Sequence, residues 1–517
     1  GIFIGGEATD NIVEEWTRVE NCGSGIVIDG AGTKNNCVQE VVIKNSSTNG
    51  IQLSNRAQYN HLGPDLRVQE SGQNGVLITG AGTDFNWVGD SFKLSESPHG
   101  RYAVEITRGA KNNTVTRCSV FGYRLGGLAL IGSGTILNRI VENQIRNQVD
   151  PDSAESAPAV LIESGASRNL ILDNEIGSGN GDGIRINGPS THGNILNRNG
   201  VHGFAGNGIR INDSPGNIIG SITGGGNHID DNRGAGIRIQ GTEAKGNRVM
   251  ANNIGNTSFR PGNDSHGIVI EGGAEGNRIG GVRPVFRESA HPQRRLAADP
   301  EQRGAANVIV GNGGDGIRID GARGNQVLGN IIGSKKFGFF LGDFGNQGAG
   351  IHVTGGAENV CIGNCVSLAD RAFGYGNIVS HNHGVGILIS GSETTEVSVR
   401  ENNVHSNEGG RVVIEGDANN RIKLPKLSIE PGSTAIRGMA SRRGYIEIYS
   451  DEEGLEGTYH LTAVVGRGAF VIDRFEPRIR SQNAIIIQEE LDLPTGKLSV
   501  NFTDFQTGNS TALIDLE

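Results

Sequence analysis

The stretch "NGDGIRING" at 180–188 returns as "GNGIRIND", "GAGIRIQG" and "GDGIRIDG". The underlying pattern, a small residue followed by apolar, variable, apolar, recurs along most of the chain. Its small residue stands at Gly1, Gly25, Gly50, Gly75, Ala103, Gly127, Ala159, Gly183, Gly208, Gly236, Gly267, Gly316, Gly350 and Gly386, with a last copy at Arg411. A repeat of this length calls for a stack of like units, because one unit cannot bury its apolar face alone. Within each copy the alternation has period two, so Ile184 and Ile186 face one side and Arg185 the other.

A second signature follows each copy, as in "NNTV", "NRIVENQI", "RNLILDNEI" and "GNQVLGNII". Asn beside Gly before an apolar residue marks a corner where the chain turns and side-chain amides bond neighbouring backbone. One coil thus holds two or three short strands. Stacking coils about 4.8 Å apart puts Ile on Ile and Asn on Asn. The 83 Gly residues lack a strict three-residue period, which excludes collagen, and the regular apolar positions exclude a disordered tract.

These motifs resemble the right-handed parallel β-helix repeat proteins of the pectate-lyase-like group. Within it they are most similar to Gly/Asn-rich bacterial secreted and surface proteins that carry a C-terminal Ig-like module. The resemblance implies an all-β chain of about 15 coils over 1–425, starting mid-repeat as a processed product or a piece of a longer chain would. From 426 to 517 the pattern changes to "GYIEIYSD", "TYHLTAVV" and "KLSVNFTD", strands at hairpin spacing that predict a small β-sandwich. Between Gly208 and Gly386 the repeat lengthens, and the inserted loops alternate between two corners, so that a pair of coils is the expected unit.

The net charge of −10 argues against a nucleic-acid partner. No apolar run approaches a membrane span. The five cysteines are too few for a disulfide scaffold and read as small buried hydrophobes. The expected location is extracellular or cell-surface. The expected partner is a polysaccharide, a surface glycan or another structural protein, with oligomerisation left open.

Candidate ligand-binding residues fall into two sets. Arg185, Arg210, Arg238 and Arg318 share the outward place of the repeated strand, where a guanidinium ladder grips carboxylates or sulfates. The inserted loops "SKKFGFFLGDF" and "ADRAFGYG" concentrate Lys335, Phe339, Phe340, Arg371 and Tyr375 in a chain poor in aromatics. For catalysis, the family's lyases use calcium-binding carboxylates with Arg or Lys, and its hydrolases use an Asp cluster. Asp213, Asp230, Asp231 and His266 follow the order of the hydrolase series, without its threonine or its full Gly-His-Gly. Each is equally an ordinary corner residue.

No cofactor motif is present. His381 and His383 read as turn residues, and calcium stays open only at the Asp451, Glu452 and Glu453 turn. The leading expectation is a structural or adhesive scaffold whose loops bind glycan or a protein. The alternative is a lyase, hydrolase or epimerase acting on an acidic polysaccharide.

Overall fold

The computed structural model describes residues 1–94, 99–147, 156–221, 225–256, 260–281, 305–333, 344–364 and 376–421, and beyond them the strands of the C-terminal segment with a few adjoining residues. Two compact units are distinguished. The first comprises 1–248 with 263–265, and the second 249–262 with 266–517.

In the first unit the repeated strands form one parallel sheet, ten strands in chain order from Ile2–Ile4 to Ile237–Gln240. Register follows the repeat: Ile184 pairs Ile209, Arg185 pairs Arg210 and Ile186 pairs Ile211. Ile184, Ile186, Ile209 and Ile211 are wholly buried, so each coil contributes two inward isoleucines, as the alternation predicts. The glycine before them has a steric cause. A Cβ on Gly208 would lie 2.5 Å from Ile229 Cγ2 and 2.8 Å from the Gly236 carbonyl oxygen, inside contact distance of the next coil.

The asparagines do more than turn the chain. Asn113, Asn138, Asn169 and Asn194 are buried in one column. In each, the backbone N–H and the side-chain amide both donate to Oδ1 of the next: Asn138 to Asn169 at 3.0 and 3.2 Å, Asn169 to Asn194 at 3.0 and 3.1 Å. A parallel column runs through Asn143, Asn174, Asn199 and Asn227. The left-handed conformation expected of these asparagines falls instead on the residue before each, such as Asn112 (φ 56), Leu137 (φ 58) and Arg168 (φ 55). Buried amides with every donor satisfied hold the register where apolar side chains alone would let coils slip.

The second unit repeats this plan. Its five strands from Ile268–Glu271 to Val412–Ile414 pair in parallel, with Ile317 on Ile351 and Ile351 on Ile387. Asparagine columns run through Asn307, Asn330, Asn377 and Asn402, and through Asn312, Asn346, Asn382 and Asn407. The two units together carry fifteen strands of the repeated kind, matching the expected coil number.

From Lys426 the strands become antiparallel. Lys426–Ile429, Ala435–Ala440 and Gly468–Asp473 form one sheet, and five strands around Gly444–Ser450 form another. This segment meets the last coil through polar contacts. Along Ser398–Arg400 and its flanks, the N–H groups of Val397, Val399 and Glu401 donate to Asn419 Oδ1, Ser510 Oγ and Glu447 Oε2 at 2.9, 2.9 and 3.0 Å. Side-chain oxygens there take the donors that a further coil would otherwise satisfy, closing an edge that is a pairing hazard when open.

Cys22, Cys37 and Cys118 are free, in line with the expected thiols. Cys361 departs from that expectation, for it is disulfide-bonded.

Candidate functional site

The outward face of the repeated strands carries a charged group around an aspartate in each unit. In the first unit Arg185, Arg210 and Arg238 stand on successive strands in register. Asp182, three residues before Arg185, accepts the Arg185 Nε–H on Oδ2 at 2.8 Å, with Arg210 Nη1 4.0 Å from the same oxygen. Its Oδ1 is held by the backbone and side-chain amides of Asn207, both at 2.9 Å. Arg210 Nε is enclosed and makes no hydrogen bond. On the preceding strands the same outward column holds Glu105, Ala129 and Leu161, with Tyr102 packed against the last two.

In the second unit the group centres on Asp315. Its Oδ2 lies 3.4 Å from His266 Nδ1, 3.3 Å from His352 Nδ1 and 3.5 Å from Arg318 Nη1. Oδ1 accepts the Ala349 N–H at 2.8 Å, and the Asp315 N–H donates to His266 Nδ1 at 2.8 Å. Burial, the largest influence, pushes the Asp315 carboxyl up. The His352 hydrogen bond and charge, the Ala349 amide and the His266 charge together outweigh it, and the carboxyl ends below its ordinary value. Asp315 is therefore a fixed anion at neutral pH. Arg318 also donates from Nη2 to Asp320 at 3.0 Å, which anchors the guanidinium across the strand.

The proton positions of the two imidazoles follow from their partners. Ser390 Oγ donates to Thr354 Oγ1 at 3.0 Å, so it accepts from His352 Nε2 at 2.8 Å. His352 Nδ1 then accepts from Arg318 Nη1 at 3.2 Å when neutral and donates to Asp315 when charged. His266 accepts on Nδ1, which leaves its proton on Nε2.

Of the residues singled out from the sequence, His266 and Arg318 meet here, while Arg185, Arg210 and Arg238 form the ladder of the first unit. Asp213 follows the strand Ile209–Asn212 with φ 48, and its Oδ1 accepts the Glu243 N–H at 3.2 Å. Asp230 ends His228–Asp230 in the other sheet system, and Asp231 beside it has φ 54, its carbonyl accepting the Gly203 N–H. Asp213 and the Asp230–Asp231 pair thus occupy ends of strands in different sheets. Lys335, Phe339, Phe340, Arg371 and Tyr375 lie outside the described residues, as do Asp451, Glu452 and Glu453.

His383 Nδ1 pairs with Glu408 at 2.9 Å, and among the described residues no group of three His, Cys, Asp or Glu is arranged to hold a metal. No helix among the described residues is long and apolar enough to cross a membrane. The sequence reading missed Asp182 and Asp315. Their signal was the motif Asp-Gly-Ile-Arg, with the carboxylate three residues before the arginine at 182–185 and 315–318.

A family model described as "Right handed beta helix region" matches residues 102–282. Parallel strands in register continue the same fold on both sides of that stretch. The chain is a right-handed parallel β-helix protein. This β-helix is similar to the periplasmic alginate epimerase AlgG, at 14% identity and a TM-score of 0.37 over 66% of this chain and 72% of that one. The Azotobacter vinelandii mannuronan C-5 epimerase AlgE4 A-module follows at 10% identity and 0.33, over 68% and 84%. The enzymatically active domain of tailspike protein 2 from bacteriophage CBA120 stands at 11% and 0.33, over 98% and 72%. No curated protein matches the sequence.

Proposed function

We propose that this β-helix acts on an acidic polysaccharide at the outward face around Asp315. The observation that carries the reading is the convergence of Asp315, Arg318, His266 and His352 from three adjacent strand positions onto one carboxylate oxygen. A guanidinium fixed beside two imidazoles supplies what a uronate needs for proton transfer at the carbon next to its carboxylate. Arg318 offers charge for the carboxylate, and an imidazole nitrogen can take or give a proton. Carboxylate-pair hydrolysis fits less well. That chemistry needs one carboxyl held protonated, whereas Asp315 is pushed the other way. The reaction class is therefore elimination or epimerisation of a uronate.

The Arg185, Arg210 and Arg238 ladder supports the same substrate class, since it sets guanidinium groups in register on three successive strands, two of them beside the carboxylate of Asp182. The Cys361 disulfide supports an extracellular or periplasmic location, where such bonds persist. The segment 426–517 is read as an Ig-like β-sandwich that closes the last coil. The scaffold reading is favoured by a different observation, the unbroken buried asparagine columns, which make each coil stack a rigid rod.

One experiment separates the readings. Polygalacturonate, alginate and glucuronan are incubated with the protein in deuterium oxide, and proton NMR follows unsaturated ends and exchange at the uronate carbon. Activity that falls at least a hundredfold in Asp315→Asn and His266→Gln supports the site. Turnover unchanged by both variants, or absent from all three polymers, removes it and leaves the scaffold.

A further inference from the structure

We propose a second carbohydrate-binding site in the first unit, an aromatic platform formed by Tyr59 and Phe85 that stacks against a pyranose ring. Both rings are exposed, at 53% and 45%, in a chain whose aromatic residues are only 5% of the total. They lie parallel, with centroids 5.0 Å apart and planes within 4°. That separation is about the rise of one coil. The rings are therefore stacked along the coil axis on a single corner.

The corner is the left-handed one that precedes each column asparagine. Each ring sits on the residue before a column asparagine, with φ 54 at Tyr59 and φ 60 at Phe85. A bulky side chain in the left-handed region is a steric outlier. At the equivalent corner the coils flanking the pair place Asn35 and Asn112, the next two place Leu137 and Arg168, and later coils of the same unit place Gly193, Gly216 and Gly246. Two aromatic rings held in that conformation and left in solvent contribute little to the fold.

Geometry selects the ligand. Each ring covers one face of the other, and the remaining faces look over the shorter Asn35 and Asn112. Such a face receives a flat apolar surface of ring size, which is what a pyranose with equatorial substituents presents through its axial C–H bonds. Lys34 and Lys111, exposed on the two flanking coils, stand where they reach sugar hydroxyls or carboxylates. Two residues along on the same coils, His61 and Trp87 are themselves stacked at 6.1 Å. Two half-exposed rings offer about 200 Å² at most, far below the roughly 800 Å² per side of a stable protein interface. The occupant is therefore a polysaccharide chain of β-1,4-linked pyranoses. This site does not depend on the Asp315 reading.

The test is calorimetric titration of the full chain with cellohexaose and with a β-1,4-linked glucuronate hexamer. At least one is expected to bind. Tyr59→Asn with Phe85→Asn, which copies the residue of the flanking coils, is expected to weaken that binding at least tenfold at unchanged melting temperature. Asn112→Tyr, which lengthens the stack by one coil, is expected to tighten it about threefold. Binding of neither hexamer overturns the proposal, and so does binding unaffected by the aromatic variants. Sedimentation showing a dimer that the double variant dissolves also overturns it, because the rings would then be covered by a second copy.

Discussion

His352 Nδ1 lies 3.3 Å from Asp315 Oδ2, while its Nε2 lies 2.8 Å from Ser390 Oγ, so one imidazole spans three consecutive coils of the second unit. The ring is fixed from both ends. Its protonation decides whether Asp315 or Arg318 is its partner on the Nδ1 side.

The first prediction concerns Asp315. Its carboxyl is held below the ordinary value, so its contribution to stability is complete above the unfolded carboxylate range and is lost as pH falls through the lowered folded value. Asp315→Asn is expected to destabilise the protein by about 1.5–3 kcal/mol at pH 7, the worth of a charge-assisted hydrogen bond. Thermal melts should show the gap between wild type and variant narrowing once pH falls below the ordinary carboxylate range and closing as it passes the lowered folded value.

His99 gives the opposite window. Burial alone lowers its pKa from 6.5 to about 4, and its Nε2 has no hydrogen-bond partner. The unfolded chain takes up the proton first, so stability falls as pH drops from about 6.5 towards 4, by on the order of 3 kcal/mol in total. Denaturant titration across that range should show a slope that His99→Phe removes.

The asparagine columns should be costly to break. Asn138→Ala removes Oδ1, the acceptor for both the backbone and side-chain donors of Asn113 at 2.9 and 3.3 Å. A buried donor left unpaired costs about 1–3 kcal/mol. Denaturant unfolding is expected to show a loss at the upper end of that range, and hydrogen exchange should quicken at Asn113 and its neighbours.

The buried pair that closes the last coil is the fourth test. Arg400 Nε donates to Glu447 Oε1 at 3.3 Å, Arg400 lies over the Tyr445 ring at 3.7 Å, and Glu447 is wholly buried. Removing one partner of a buried pair costs about 3–5 kcal/mol. Glu447→Leu is expected to expose the Ser398–Arg400 edge. Light scattering should report association, and limited proteolysis should cut between 421 and 444.

Much of this was legible in the residues. The Gly-Ile-Arg-Ile copies dictate period-two strands, and the isoleucines found inward are the ones the alternation placed there. The outward arginines were legible as a ladder but not as a site, because an arginine on a repeated strand looks alike whether solvated or paired. Asp182 and Asp315 went unread for the same reason, as each sits before a glycine in a stretch that reads as a turn. The left-handed corner was placed on the asparagine, whereas it belongs to the residue before. There Tyr59 and Phe85 were invisible as a pair, being 26 residues apart in a chain whose coil length varies.

The sequence by itself determined the coil. Its period, its inward pairs and its buried amides are local patterns, and a repeat converts a local pattern into a whole fold because each unit meets only copies of itself. The tertiary structure alone decided which side chains meet across coils. His266, Asp315 and His352 come from turns of unequal length, and only in-register stacking brings them within 3.4 Å of one another's atoms at a shared carboxylate. Chemistry on such a fold depends on those between-coil distances, and His266 and His352, 49 and 37 residues from Asp315 in sequence, are joined to it in space by stacking.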